Sequence, residues 1–497
     1  MVSSGFRGSR LRALRALRAL AVLGGVAVVA SSAIACSAPS DDGASATEDA
    51  LQSDCASPTF LAIKQATSAV AKNGSYDFSF QNRASNTVVH EGTEIFAAMA
   101  DLIAGADQEV NLQTWRWDPG AGPEIAVLGG LKRLADRRAG LSADQRSKPV
   151  EVRLLLNVIP STDGHLFEKL SASLDGLALD PALVHVTVAR FAATLLGANH
   201  VKGLVVDGSR VFVSGANMSS DFFDVGNRYW DVGYRFDGAV GRGLRKDFAV
   251  AWSKGQEWRC GAAGLSNDHE NNGSDRCAVG YDFAWRDLPA LPPVDTSASD
   301  AATASLCTPI LVVGHEARAL PFPSAEPDSP QAQAFLTAVN GAKKIVRVQS
   351  PNLNESLMVD ALVAAVRRGV EVDLLLSKEH EQSGESLAGR GGPNDDTLKK
   401  MFDALGPSAC HGLHARWFSR DGRAPVESKG APSSHVKYLA VDDQVTIMGS
   451  ANQDVQSWRN SREVNVVVDG ADLARTYREA VFAPVWARAI DASSACR

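Results

Sequence analysis

Two stretches of this sequence carry the same chemically active side chains at the same spacing. In the first, Lys202 follows His200 by two residues, Asp207 follows the lysine by five and Asn217 follows the aspartate by ten; His435, Lys437, Asp442 and Asn452 repeat those intervals. On a strand, residues two apart share a face, so each histidine points with its lysine. Asp207-Gly208-Ser209 and Asp442-Asp443-Gln444 have the composition of a hairpin turn. The returning strand brings Asn217 or Asn452 back to the level of the His–Lys pair. Each copy therefore offers an imidazole, an ammonium and a carboxamide on one surface.

Two such surfaces facing each other suit a phosphodiester. Lys202, Asn217, Lys437 and Asn452 would hold the non-bridging oxygens and stabilise a pentacovalent phosphorus. One neutral imidazole would attack in line to form a phosphohistidine. The other would protonate the leaving alcohol and then activate water or a second alcohol. A two-step displacement of this kind requires no metal and no cofactor, and it predicts a bell-shaped pH–rate profile. Each imidazole needs an orienting partner; Asp231 in Tyr229-Trp-Asp-Val-Gly233 and Glu463 in Ser461-Arg-Glu-Val-Asn465 stand at similar offsets after their asparagines. The turn position of Asp207 and Asp442 favours a structural, hydrogen-bonding role over direct chemistry.

The elements that position these residues recur in both halves. In the first, a helix over 93–104 with Thr93 as N-cap is followed by a strand over 110–117, a helix over 126–138 and strands over 150–156 and 183–191. In the second, the order is a helix over 331–342, a strand over 344–349, a helix over 357–368 and strands over 370–376 and 413–418. Apolar runs separated by helices predict a mainly parallel sheet with covered faces. The fold class is α/β: two tandem α/β/α sandwich repeats, 59–260 and 307–497, packed face to face with pseudo-two-fold symmetry. A polar linker, 261–306, joins them.

Net charge is −7 and the chain has 497 residues, 45% of them hydrophobic. No basic stripe is visible, so nucleic acid is not expected as a partner. Arg7, Arg10, Arg12, Arg15 and Arg18 precede an apolar run over 19–30 and the small residues Ser-Ser-Ala-Ile-Ala-Cys36. That pattern predicts a signal peptide over 1–35 and export to the cell envelope, the periplasm or the medium, with a flexible tether over 36–58. Of seven cysteines, Cys36 is the candidate for lipidation and the other six suit an oxidising compartment, with Cys260–Cys277 the local pairing. Cys410-His411-x2-His414 reads as half a disulfide before a strand rather than as a zinc site. His90-Glu91 and His315-Glu316 read as capping or packing residues. Trp458 could line the cleft or the core.

The duplicated pattern resembles the phospholipase D superfamily, whose H-x-K-x4-D-x6-G-S-x-N motif occurs twice in single-chain members. The second copy matches fully, with Gly449-Ser450 before Asn452; the first carries Ser214-Gly215 instead. Arg368-Gly-Val-Glu-Val-Asp-Leu-Leu-Leu376, Tyr229-Trp-Asp and Asp247-Phe-Ala-Val-Ala-Trp252 are similar to bacterial cardiolipin synthases, although Gln349-Ser-Pro-Asn352 lacks their usual aromatic residue. The resemblance counts His200, Lys202, Asp207, His435, Lys437 and Asp442 as the catalytic motif residues, with His200 as nucleophile and His435 as acid and base. It implies a monomer acting on phospholipid at a membrane surface, by hydrolysis or phosphatidyl transfer. A superfamily endonuclease and a non-catalytic envelope lipoprotein are the alternative readings; both complete motifs speak against the second.

Overall fold

The computed structural model describes residues 55–157, 166–191, 197–223, 228–262, 281–318, 328–380, 382–387, 389–427 and 433–492. The segment expected to be a signal peptide, Cys36 and Cys277 lie outside them. Among the described residues no helix is long and apolar enough to cross a membrane.

Among the described residues, two mixed sheets carry the chain. The first has ten strands, whose central run is Val184–Phe191, Val150–Asn157, Glu109–Thr114, Gly203–Val206, Arg210–Ser214 and Val232–Gly238. The second has nine, with the matching run Leu413–Trp417, Glu371–Leu376, Ile345–Ser350, Tyr438–Val441, Val445–Gly449 and Glu463–Asp469. Registers repeat as well: Val110 faces Val206 as Val346 faces Val441, and Ser214 faces Gly233 as Gly449 faces Asn465.

The expectation of mainly parallel sheets holds for only half of each run. In each sheet the first three strands of the run are parallel, because helices such as Gly122–Ala139 and Ser356–Arg367 supply the crossovers. The other three are antiparallel: a tight hairpin turn joins the first two, and the connections over 215–231 and 450–462 carry the short helical segments Ser220–Phe222 and Val455–Arg459 in place of a long crossover helix. Helix boundaries fall within a few residues of the sequence reading: the helix expected over 126–138 begins at Gly122, and the one expected to start at Thr93 begins at Glu91. Its N-cap is His90, whose backbone N–H is accepted by Glu94 at 3.1 Å. Proline is tolerated in the first turn of Gly122–Ala139 and Pro330–Gly341, where its missing N–H would have had no intrahelical partner.

The N-terminal part of the described chain joins the far half. Helix Pro58–Ser68 packs against Pro330–Gly341, and strand Tyr76–Ser79 pairs with Ile310–His315 at the edge of the second sheet. A Cys55–Cys307 disulfide ties that crossing down, and Ser57 caps its helix while donating to Asp469 through both its backbone N–H and its hydroxyl. Tyr281–Asp287 returns to the edge of the first sheet.

Each sheet has an apolar core on its helix-covered outer face. The first holds Phe96, Leu112, Leu131 and Leu154; the second holds Phe335, Val348, Leu362 and Leu374. The inner faces share a third core, in which Val205, Val213 and Phe236 of one sheet meet Val312, Met448 and Val466 of the other. Valine dominates there because its branched side chain suits a strand with both faces covered. Burying both faces of both sheets makes the halves one body, and the ends of their motif strands are fixed against each other.

Candidate active site

Each motif histidine is seated by a bridge between halves. Asn199 pairs with Arg462, with Arg462 N–H donating to Ala198 O at 2.7 Å and His200 N–H donating to Arg462 O at 2.9 Å. On the other side Trp230 pairs with Ser434, with Trp230 N–H donating to Ser433 O and His435 N–H donating to Trp230 O at 2.8 Å. The residue after each bridging position is the acid of the opposite histidine. His200 Nδ1 stands 2.8 Å from Glu463 Oε1, and His435 Nδ1 stands 3.0 Å from Asp231 Oδ2. The two acids proposed from sequence are thus both at the histidines, and their pairing crosses the repeats.

The lysines complete two buried groups. Lys202 Nζ donates to His200 O at 2.6 Å, and Lys437 Nζ donates to His435 O at 2.6 Å. Lys437 Nζ also lies 2.9 Å from His435 Nδ1. Each ammonium acts across the gap: Lys437 lowers the pKa of His200, and Lys202 lowers that of His435. Trp115 stands edge-on to His200 with ring centroids 5.4 Å apart, while Phe222 and Tyr229 flank His435 at 5.0 and 5.6 Å. Asn217 and Asn452 are buried at the ends of their hairpins, and the carboxamide oxygen of each has no partner among the described residues. Asn452 Nδ2 donates to Asp454 Oδ2 at 3.0 Å.

The two pairs differ in where their protons sit. Burial alone would raise the Glu463 carboxyl, but the His200 imidazole, Lys202 and the Ser450 hydroxyl bring it below the usual carboxylate range. Burial together with Lys202 and Lys437 holds His200 below the ordinary histidine value, outweighing Glu463. The first pair is therefore carboxylate and neutral imidazole, with Nδ1–H donating to Glu463 and Nε2 carrying a free lone pair. Burial pushes Asp231 up to about 7, against Lys437. Burial and then Lys437 push His435 well down. An ammonium can only donate, so where the Asp231 carboxyl is protonated Lys437 at 2.9 Å makes His435 Nδ1 an acceptor and that ring's proton sits on Nε2.

The reversed Ser214-Gly215 of the first motif has a steric explanation, and it bears on the second histidine rather than the first. A Cβ on Gly215 would stand 2.6 Å from Asp231 Oδ2, so the shorter acid leaves no room for a serine and takes a backbone hydrogen bond from Gly215 instead. The longer Glu463 leaves room for Ser450, whose Oγ donates to Oε2 at 2.5 Å. Gly449 is required in turn, because a Cβ there would meet Val464 O at 2.4 Å.

Asp207 and Asp442 lie at the far ends of their strands, away from the histidines. Both adopt a left-handed backbone, with φ 50° and 55°. Asp207 accepts from the backbone N–H groups of Asp107, Gln108 and Glu109 at 3.0, 2.7 and 3.0 Å. Asp442 accepts from Lys343, Lys344 and Ile345 at 2.8, 2.7 and 3.0 Å. Each clamps the start of the neighbouring strand, which takes both out of the reacting set to which the motif alone would assign them. Asp442→Ala is expected to lower unfolding free energy by about 2–4 kcal/mol in urea titrations, with the rate per folded molecule unchanged.

Sequence reading missed the lock behind His200. Arg462, fully buried, donates to Asp247 Oδ1 at 2.5 Å, Asp247 O at 2.7 Å, Gln113 Oε1 at 3.1 Å and Asn199 Oδ1 at 3.2 Å. Its neighbour Glu463 is held in register by this network. Sequence reading also missed His380, whose ring centroid lies 5.9 Å from that of His435. It follows the carboxyl end of the parallel strand Glu371–Leu376, a position that often carries ligands in α/β sheets and that could have flagged it. Trp458, by contrast, is core: it stacks on Phe335 at 5.7 Å and is fully buried. His315 is a packing residue whose Nδ1 pairs with Ser461 O. Cys410 is disulfide-bonded and so is no zinc ligand. A cleft of about 680 Å³ between Ser356–Arg367 and Asn394–Ala409 contains no motif histidine or lysine.

A family model described as "Cardiolipin synthase, PLD-like domain" matches residues 335–486, the second copy with its supporting elements. Phospholipase D from Streptomyces antibioticus is 23% identical over 448 residues, covering 78% of this chain and 75% of its own. The major cardiolipin synthase of Bacillus subtilis is 20% identical over 313 residues, covering 58% of this chain and 52% of its own. The family model and these relatives support the phospholipase D superfamily for this chain. It spans about half the length of the cardiolipin synthases it matches. The fold is similar over most of the chain to that of phosphatidylserine synthase from Haemophilus influenzae, which superposes with a TM-score of 0.57 at 12% identity, covering 86% of this chain and 92% of its own.

Proposed function

We propose that this phospholipase D-superfamily member cleaves the phosphodiester of phospholipids, with His200 as nucleophile and His435 as acid and base. The observation that carries this reading is the opposite proton inventory of the two crossed pairs: an imidazole with a free Nε2 on Glu463, and an imidazole bearing its proton on Nε2 beside a carboxyl that titrates near 7. In the first step His200 Nε2 attacks phosphorus, the bond to the headgroup oxygen breaks, and that oxygen takes the proton held by the Asp231–His435 pair. In the second, water or an alcohol returns a proton to the pair and attacks phosphorus, and the P–N bond breaks. Lys202 and Lys437 neutralise the non-bridging oxygens throughout. Cardiolipin synthase and phospholipase D among the relatives support phospholipid as substrate at a membrane surface. Export, lipidation at Cys36 and action as a monomer belong to the same proposal, the first two on the composition of residues 1–54.

The test offers phospholipid labelled in its phosphatidyl moiety, with and without a primary alcohol. Release of phosphatidic acid alone marks hydrolysis, alcohol-linked product marks transfer, and absence of both refutes the proposal. The pH dependence of kcat/KM is a separate expected result. His200 must be neutral to attack, and because its pKa is lowered the acid limb falls below the ordinary histidine value. The leaving group needs the proton of the Asp231–His435 pair, which is lost as pH rises through about 7, so the alkaline limb begins there. A flat profile between about pH 5 and 8 would contradict this assignment.

A further inference from the structure

His380 is buried beside the reacting histidine yet does none of the work assigned above. Its loop is anchored: Ser377 Oγ donates to Ser434 O at 2.6 Å, and Lys378 pairs with Glu427 at 2.9 Å. Glu379 then turns through a left-handed backbone, φ 57°, a conformation that costs a non-glycine residue about 1–2 kcal/mol. Strain of this kind persists where the surroundings impose it, and here it accompanies a histidine packed between Tyr229, at 5.8 Å and edge-on, and His435, at 5.9 Å. The Nδ1 of His380 has no partner among the described residues, although the side chain is 5% exposed. Burial and then Lys437 push its pKa down to about 4, so it stays neutral at physiological pH and has no proton to exchange there. A neutral ring can still donate at one nitrogen and accept at the other. Asn452 Oδ1 is a buried acceptor without a partner among the described residues, and its Asp454 neighbour acts electrostatically on His380. An unpartnered imidazole nitrogen and an unpartnered amide oxygen near the imidazole that handles the headgroup oxygen suit a ligand bearing additional hydroxyls, which both donate and accept.

We propose that His380 is a specificity-determining residue, which hydrogen-bonds a second hydroxyl of the alcohol cleaved at the His435 side and so selects polyol headgroups, of the glycerol type, over simple alkyl ones. The inference rests on the phosphodiesterase reading and adds the headgroup class to it. Sites built around a buried hydrogen-bonding group discriminate strongly against analogues lacking the hydroxyl, because the protein group is then left unpaired.

The experiment presents mixed vesicles of phosphatidylglycerol and phosphatidylpropanol in equal amounts, which match in charge and differ in the headgroup hydroxyls. Release of glycerol and propanol is measured together, so hydrolysis and transfer both register. The wild type is expected to release glycerol at least about tenfold faster. His380→Phe should bring the ratio near one whatever the total rate, and His380→Asn, which restores a hydrogen-bonding group, should recover part of the preference. His380→Ala serves if the phenylalanine variant melts early. A wild-type ratio near one, or a ratio unchanged in the phenylalanine and alanine variants, overturns the assignment of His380 while leaving the phosphodiesterase reading intact. Release of neither alcohol by the wild type refutes both.

Discussion

Replacing His200 with alanine is expected to lower turnover by about 10⁵-fold or more on every substrate, because the proposed mechanism gives the covalent bond to phosphorus to this imidazole alone. His435→Ala should behave differently according to the leaving group. A phospholipid headgroup leaves as an alkoxide and needs a proton, so its release should fall by about 10³–10⁴-fold. An aryl phosphodiester with a p-nitrophenol leaving group needs none. The alanine variant should give a burst of nearly one equivalent of p-nitrophenol and then stall, since the base for the second step is gone. Rapid-quench measurement of the two variants on the two substrates separates the roles. A burst from His200→Ala, or its absence from His435→Ala, would reverse the assignment.

Second in expected size is the effect of neutralising an orienting acid, and the crossed pairing dictates which step suffers. Glu463→Gln keeps the shape but removes the charge that holds His200 with Nδ1 protonated and Nε2 free. Loss of the equivalent carboxylate elsewhere costs up to about 10⁴-fold, and about 10²–10⁴-fold is expected here, confined to formation of the phosphoenzyme. Asp231→Asn removes the carboxyl that titrates near 7 beside His435. It should slow release of poor leaving groups and abolish the alkaline limb near 7, with the aryl burst largely retained. Although Glu463 belongs to the second repeat and Asp231 to the first, each variant should mimic loss of the histidine in the other repeat. Stopped-flow burst amplitudes and kcat/KM profiles read both effects.

Much of this was legible in the sequence because the motif is local. The His-x-Lys spacing on a strand, the turn aspartate and the returning asparagine follow from the two-residue period and hairpin geometry alone, and the structure places them accordingly. Asp231 and Glu463 could be picked out by offset, but the crossing of their pairing could not. It depends on the bridges Asn199–Arg462 and Trp230–Ser434, contacts between residues more than 200 positions apart. The same holds for the Arg462–Asp247 lock, since a buried ion pair between distant residues leaves no period or spacing to detect. The mixed character of the sheets was missed because an apolar run reads alike in parallel and antiparallel pairing; only the connection length decides. His380 escaped because its position comes from a single left-handed residue at Glu379, where sequence gives no glycine to announce the turn.

In the proposed mechanism the His200 imidazole takes the phosphoryl group while that of His435 manages protons. The most direct measurement quenches wild-type enzyme with labelled phospholipid at alkaline pH, where phosphohistidine survives, and locates the label by peptide mass spectrometry. Label is expected on the peptide containing His200 in the wild type and on no peptide in His200→Ala. Label on the His435 peptide, or turnover with no labelled histidine at all, would contradict it.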